Sequence, residues 1–120
     1  MKEIKEALEA TEPDDEAEGA NKLKEREALL EELMDIVSSL DQARDLHKIG
    51  GLPPLLGLLR CRHPSLRWRA AEVVATCCAN NPPVQQWFRE GGVLPLLIGL
   101  TSDEDGTCRT KVFGADQHVT

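Results

Sequence analysis

Aromatic residues are nearly missing from this 120-residue chain: two Trp, two Phe and no Tyr, 3% in all. That argues against a β-sandwich, whose strands are rich in Val, Thr, Tyr and Phe. Long apolar runs are missing too. The longest, around Leu52 to Leu59, holds Pro53 and Pro54 and is too short to cross a bilayer. The opening Met1-Lys2-Glu3-Ile4-Lys5-Glu6 lacks the apolar centre of a secretory signal, so the expected compartment is the cytosol.

Reactive constellations are equally scarce. The four cysteines, Cys61, Cys77, Cys78 and Cys108, form no Cys-x-x-Cys pair, and the adjacent Cys77 and Cys78 are poorly placed to bridge each other. They read as reduced, mostly buried thiols. His47, His63 and His118 share no ligand spacing, so no metal is expected. No phosphate-cradling or dinucleotide glycine pattern occurs, so no nucleotide cofactor is expected either. Ser39, Asp41 and His47 are close in sequence, but nothing orients them as nucleophile and base. The chain does not read as an enzyme.

Charge is abundant but lopsided. Residues 1–45 carry six Lys or Arg against fifteen Asp or Glu, a net −9; residues 46–120 carry eight against six, a net +2. The acidic head repels phosphate backbones and the body has no basic stripe, which excludes nucleic acid as a partner.

What the chain does have is a repeat. Gly50-Gly51-Leu52-Pro53-Pro54-Leu55-Leu56-Gly57-Leu58-Leu59 returns 41 residues later as Gly91-Gly92-Val93-Leu94-Pro95-Leu96-Leu97-Ile98-Gly99-Leu100. A period of about 40–47 residues is that of armadillo and HEAT arrays, in which each unit is two or three helices. The expected fold class is therefore all-α, an armadillo- or HEAT-like helical solenoid (an α-α superhelix), and an incomplete one.

Taken in order, Met1 to Ala10 reads as a short amphipathic helix. Pro13 and the acid run around it form a linker, so residues 1–21 stand apart. A helix follows from about Lys22 to Ser39, capped near Asn21, with Leu29, Leu30, Leu33, Ile36, Val37 and Leu40 as its apolar stripe. Asp41 is the expected N-cap of a short helix that Gly50 and Gly51 stop. Pro53 and Pro54 open the next helix. Ser65 is the expected cap of a long helix from Leu66 to Ala79, apolar on most sides and ended at Asn80-Asn81-Pro82-Pro83. Pro83 opens another short helix, and the second glycine pair closes it. After Asp103-Glu104-Asp105-Gly106, Thr107 is the expected cap of a further long helix, with Arg109 and Lys111 standing 42 residues after Arg67 and Arg69. This divides the chain into repeats over 22–115, with one complete unit over about 50–90 and partial units on either side. Residues 116–120 lack the aliphatic run the last helix needs and read as an aberrant tail, as though the array were cut short.

The ordered set Asp41-Gln42-Ala43-Arg44-Asp45-Leu46-His47-Lys48-Ile49-Gly50-Gly51-Leu52, Leu66-Arg67-Trp68-Arg69-Ala70-Ala71-Glu72-Val73-Val74 and Asn80-Asn81-Pro82 resembles the armadillo-type nucleotide exchange factors of the heat shock protein 70 chaperones, the heat-shock-protein-binding protein family. The resemblance covers residues 1–10 and about 25–115. It implies an adaptor whose concave face grips one lobe of the chaperone's ATPase domain, favours the open domain and so promotes ADP release. It implies no catalysis and no cofactor. A generic armadillo scaffold for extended peptides, or a non-functional fragment, are the alternatives.

In a three-helix repeat the third helix lines the concave face. Polar residues there are the candidate partner-binding positions: Glu31, Asp35 and Ser38 on the first long helix, and Arg69, Glu72, Thr76 and Asn80 on the second. Asn80 has the competing role of ending its helix. Trp68 and Trp87 read as packing residues between units.

Overall fold

The computed structural model describes residues 19–119, so the expectations for residues 1–18 lie outside the described residues. Seven helices make up the described chain: α1 (Gly19–Val37), α2 (Leu40–Lys48), α3 (Leu52–Leu58), α4 (Pro64–Cys78), α5 (Pro82–Glu90), α6 (Val93–Leu100) and α7 (Gly106–Val119). Two three-helix units, 40–78 and 82–119, follow α1, which is the third helix of a unit before them. In this grouping each glycine pair lies between the first and second helices of a unit.

Local chemistry explains the boundaries, with several corrections. α1 begins at Gly19, so Asn21 lies within the helix rather than before it. The first-turn N–H groups need no intrahelical partner, which makes a poor helix former cheap there. Ser39, not Asp41, caps α2: its Oγ accepts from the Gln42 N–H at 3.4 Å. Gly50 then takes φ +79, and the N–H groups of Gly50 and Gly51 return to the carbonyls of His47 and Leu46. That is the left-handed helix stop for which glycine carries no steric penalty. A Cβ on Gly51 would stand 2.4 Å from Leu46 Cδ1, so close approach also demands glycine there. In the second unit it is Gly92 that turns left-handed, at φ +87.

His63 occupies the cap position of α4, and Pro64 is its first residue. Proline's fixed φ starts the helix one residue before the expected cap, Ser65. Asn80 ends the segment at φ +54, a conformation asparagine tolerates better than other side chains. Asp105 rather than Thr107 caps α7, since its Oδ2 accepts from the Cys108 N–H at 3.0 Å.

The core is organised by the long helices. α4 lies between α1 and α7 and packs along both. α1 buries Leu30, Leu33 and Val37, which align with the buried Ala71, Val74 and Cys78 of α4 at an offset of 41. α7 buries Cys108, Val112, Ala115 and Val119, which align with the buried Leu66, Ala70, Val73 and Cys77 at an offset of 42. Among the described residues, α1 has a long helix only after it and α7 only before it. The first set on α4 therefore turns toward α7 and the second toward α1, and α4 buries both.

Val119 also corrects the expected tail. One aliphatic residue per turn, at 112, 115 and 119, carries α7 on to Val119, and a run of aliphatics is not required.

Two polar joints tie the units together. Arg67 donates from Nε to Asp103 Oδ2 and from Nη2 to Asp103 Oδ1, both at 2.9 Å, and from Nη1 to the Cys61 carbonyl at 2.9 Å. This fork joins the start of α4 to the loop before α7. Asp103 Oδ1 also accepts the Asp105 N–H at 2.9 Å. Burial by itself pushes the Asp103 carboxyl up. The hydrogen bonds from Arg67 and from the Asp105 N–H, with the charge of Arg67, outweigh it and hold the carboxyl below its usual range. The second joint is Asn81, fully buried at the cap of α5. Its Oδ1 accepts from Arg44 Nε at 3.1 Å and its Nδ2 donates to the Leu40 carbonyl at 3.2 Å, so it pins α2 to the α4–α5 junction.

The Arg67–Asp103 fork gives a stability prediction. Asp103→Ala leaves Arg67 without its partner and is expected to cost about 3 kcal/mol in urea unfolding. A carboxyl with a depressed folded-state pKa adds stability that is complete above its unfolded pKa and is lost as pH falls through the folded value. The wild-type chain is thus expected to lose stability below about pH 4 more steeply than Asp103→Asn does. Parallel slopes in pH-dependent urea melts would remove Asp103 from this role.

Candidate functional site: the long-helix face

Burial on two flanks leaves α4 one strip of partly exposed positions, Trp68, Arg69, Glu72, Ala75 and Thr76, followed by Ala79 just past the helix end. On α1 the matching strip holds Glu27, Glu31 and Asp35, followed by Ser38 just past the helix end. The 3.6-residue period sets these residues on one side of each helix. Glu31 and Asp35 align with Glu72 and Thr76 at the same offset of 41.

The two strips are clipped to each other. Arg69 Nε donates to Glu31 Oε1 at 3.1 Å, and Arg69 Nη1 stands 3.6 Å from Glu27 Oε2 while donating to the Ser65 carbonyl at 3.1 Å. The same link recurs one unit on, where Lys111 Nζ of α7 pairs with Glu72 Oε1 of α4 at 2.5 Å. Each unit thus places a cation on its long helix against a carboxylate of the preceding one. Trp68 lies under both cations, with the Arg69 guanidinium 4.0 Å and the Lys111 ammonium 5.5 Å from the indole centroid. That is cation–π range. Trp68 is therefore not a core residue: it is partly exposed and meets the next unit through Lys111.

The predicted site residues divide by what occupies them. Glu31, Arg69 and Glu72 are brought together with Glu27 and Lys111 in the clip network. Ser38 Oγ donates to the Asp35 carbonyl at 2.6 Å, and Thr76 Oγ1 donates to the Glu72 carbonyl at 2.9 Å, so both hydroxyls are engaged by their own helix backbone. Asp35 is exposed, and its side chain has no partner among the described residues. Asn80 is exposed in the turn after α4 and is set apart from the strip by its left-handed backbone. Glu27, Trp68 and Lys111 are additions to the expected set. The spacing that paired Glu31 with Glu72 held the signal for Lys111, since Arg69 recurs there 42 residues on.

The carboxylates Glu27, Glu31, Asp35 and Glu72 outnumber the cations Arg69 and Lys111, so this face favours a partner with basic groups. The four cysteines are buried and form no disulfide among the described residues. Burial pushes the Cys78 thiol up to about 12 and the Cys108 thiol up to about 11, which leaves little thiolate at neutral pH. No group of three or more metal-ligating side chains occurs among the described residues. Also among them, no helix is long and apolar enough to cross a membrane.

Three-helix units stacked through their long helices define an armadillo-type helical solenoid. Solved structures agree. A designed armadillo repeat protein in complex with the peptide (KR)4 superposes with a TM-score of 0.81 at 19% identity, covering 98% of this chain and 46% of that one. A second designed armadillo repeat protein gives 0.78 at 24% identity, covering 95% and 44%.

In sequence, the chain is homologous to Hsp70 nucleotide exchange factors. Hsp70-binding protein 1 of Rattus norvegicus is 36% identical over 102 residues, covering 83% of this chain and 29% of the relative. The Hsp70 nucleotide exchange factor FES1 of Yarrowia lipolytica is 38% identical over 87 residues, covering 71% and 31%. The nucleotide exchange factor SIL1 of Rattus norvegicus is 33% identical over 97 residues, covering 80% and 21%. The chain thus spans less than a third of the length of these relatives. No family model matches it.

The clip network predicts which of these residues hold the fold. Arg69→Ala removes the α1–α4 link and the cover over Trp68, and is expected to cost about 1–2 kcal/mol. Asp35→Ala is expected to change stability by less than about 0.5 kcal/mol. Urea melts of the two variants check this, and a large loss at Asp35 would mean that it has a structural partner.

Proposed function

We propose that this chain is part of a co-chaperone that binds the ATPase domain of an Hsp70 and promotes ADP release, working in the cytosol and without catalysis. The observation that supports this most is the homology to three named exchange factors, over 71–83% of the chain. The binding surface in this reading is Glu31, Asp35, Ser38, Arg69, Glu72, Thr76 and Asn80, with Glu27, Trp68 and Lys111.

The mechanism is linkage. The solenoid is a stiff stack, because α4 is buried on both flanks and the Arg67–Asp103 fork fixes the next unit. A stiff face complementary to the open ATPase domain binds the closed, ADP-holding form less well. It therefore draws the domain toward the open state by the difference between the two affinities. Factor and nucleotide then weaken each other by the same factor, typically about 5- to 150-fold. The nucleotide needs no contact with this chain.

The acid surplus on the face favours a second reading, a scaffold that docks extended basic peptides. The two readings part in one experiment. Labelled ADP is released from a purified Hsp70 in the presence of increasing amounts of the chain. Faster release that saturates, together with chain–chaperone affinity weakened by ADP by the same factor as the chain weakens ADP affinity, is the expected result. Unchanged release at saturating chain, with a basic peptide binding the long-helix face instead, overturns the exchange-factor reading for this chain. The double variant Glu31→Ala, Asp35→Ala is expected to weaken chaperone binding by about tenfold, since it removes two exposed carboxylates.

A further inference from the structure

The short helices carry a second surface. Two depressions of about 330 Å³ each lie side by side and share Pro53, Leu56 and Gly91. Together they form one furrow, lined only by α2, α3, α5, α6 and the turns that join or follow them. Its apolar middle is Leu52, Pro53 and Leu56, with Trp87 as a wall. The indole is held in place by a stack on His47, with centroids 4.0 Å apart and planes 12° from parallel.

Charge differs between the ends. Glu90 lies at the Trp87 end, and Arg60 lies at the far end beside Gly57 and Leu96. Both are exposed, and neither forms an ion pair or side-chain hydrogen bond among the described residues. The floor at the Arg60 end is open down to the backbone. Gly57 lies inside α3, where glycine weakens a helix relative to alanine. Yet a Cβ at Gly57 would meet nothing within 4 Å. Internal packing therefore does not ask for glycine at this position.

We propose that this furrow docks a short peptide segment of a partner protein. An apolar side chain of the peptide sits on Leu56 and Trp87, a basic residue faces Glu90 and an acidic residue faces Arg60. The missing side chain at Gly57 lets the peptide approach the helix backbone. Opposite unpaired charges at the two ends select a peptide of mixed charge, which sets this surface apart from the acidic long-helix face.

The test uses fluorescein-labelled nonapeptides with a central Leu or Phe, flanked by one Lys and one Glu at varied spacings. Peptides with only Lys or only Glu flanks are the controls, and binding is read by polarisation and by amide shifts of the ¹⁵N-labelled chain. Mixed-charge members are expected to bind and to shift Gly57, Gly91, Gly92 and the Trp87 indole. Gly57→Phe, which fills the furrow from a position with room, is expected to weaken binding by about tenfold or more. Glu90→Gln and Arg60→Gln leave the core untouched and are each expected to weaken it by about fivefold. No shift with any mixed-charge member at millimolar peptide would overturn the proposal. So would binding that the all-Lys peptides match, or binding unchanged in both Glu90→Gln and Arg60→Gln.

Discussion

A helix that is apolar on two flanks cannot stand alone, and α4 is such a helix. Leu66, Ala70, Val73 and Cys77 need a cover on one side, and Ala71, Val74 and Cys78 need one on the other. α1 and α7 supply the two covers, and neither has enough apolar surface to be stable without α4. Small residues at Ala70 and Ala71 let the neighbouring helices approach closely. The remaining structure answers to this arrangement. The short helices close the far side of each unit, and the glycine stops set the angle at which they return. What is left exposed on α4 is a single strip, and α1 carries the matching positions one repeat spacing earlier.

The polar joints lie at the edges of that apolar stack. Arg67 and Asp103 meet where the start of α4 faces the loop before α7, and Asn81 sits where the second unit begins. Each is satisfied by several hydrogen bonds, which is the condition for placing such groups out of water. The Arg69–Glu31 and Lys111–Glu72 clips are more exposed and contribute less to stability. Their consequence is geometric: they hold long side chains in fixed positions across the strips. A partner then meets an ordered pattern of acids and an indole and loses little of its affinity to ordering them.

Much of this was legible in the sequence because it is written in punctuation and period. Gly50, Gly92 and Pro53 mark helix ends by their own backbone chemistry, which needs no knowledge of the fold, while Pro64 stands one residue before the cap expected at Ser65 and Pro82 one before the start expected at Pro83. The 41-residue return located the strips and matched Glu31 with Glu72. Caps were less legible, because several side chains near each helix start could serve. Ser39 took the place expected for Asp41, and Asp105 that expected for Thr107. Single aliphatic residues were underweighted, so Val119 was missed and the last helix was ended too soon. The Arg67–Asp103 fork was not legible at all. Its partners are 36 residues apart, and neither residue type announces the other. Trp68 was misread because a lone Trp on a nearly apolar helix looks like core, and only the flanking cations show otherwise. In the candidate site, the period placed the residues on one face, while their division into structural clips and free groups needed the contacts.

In the proposed function the long-helix face grips the ATPase domain of an Hsp70. The most direct measurement is a titration of the ¹⁵N-labelled chain with unlabelled Hsp70 ATPase domain, followed residue by residue. The predicted result is that signals of Glu27, Glu31, Asp35, Trp68, Glu72, Thr76 and Lys111 shift or broaden first, while those of Gly57, Gly91 and Leu96 stay in place. Perturbation centred on α3, α5 and α6, with the long-helix strips unchanged, would contradict it.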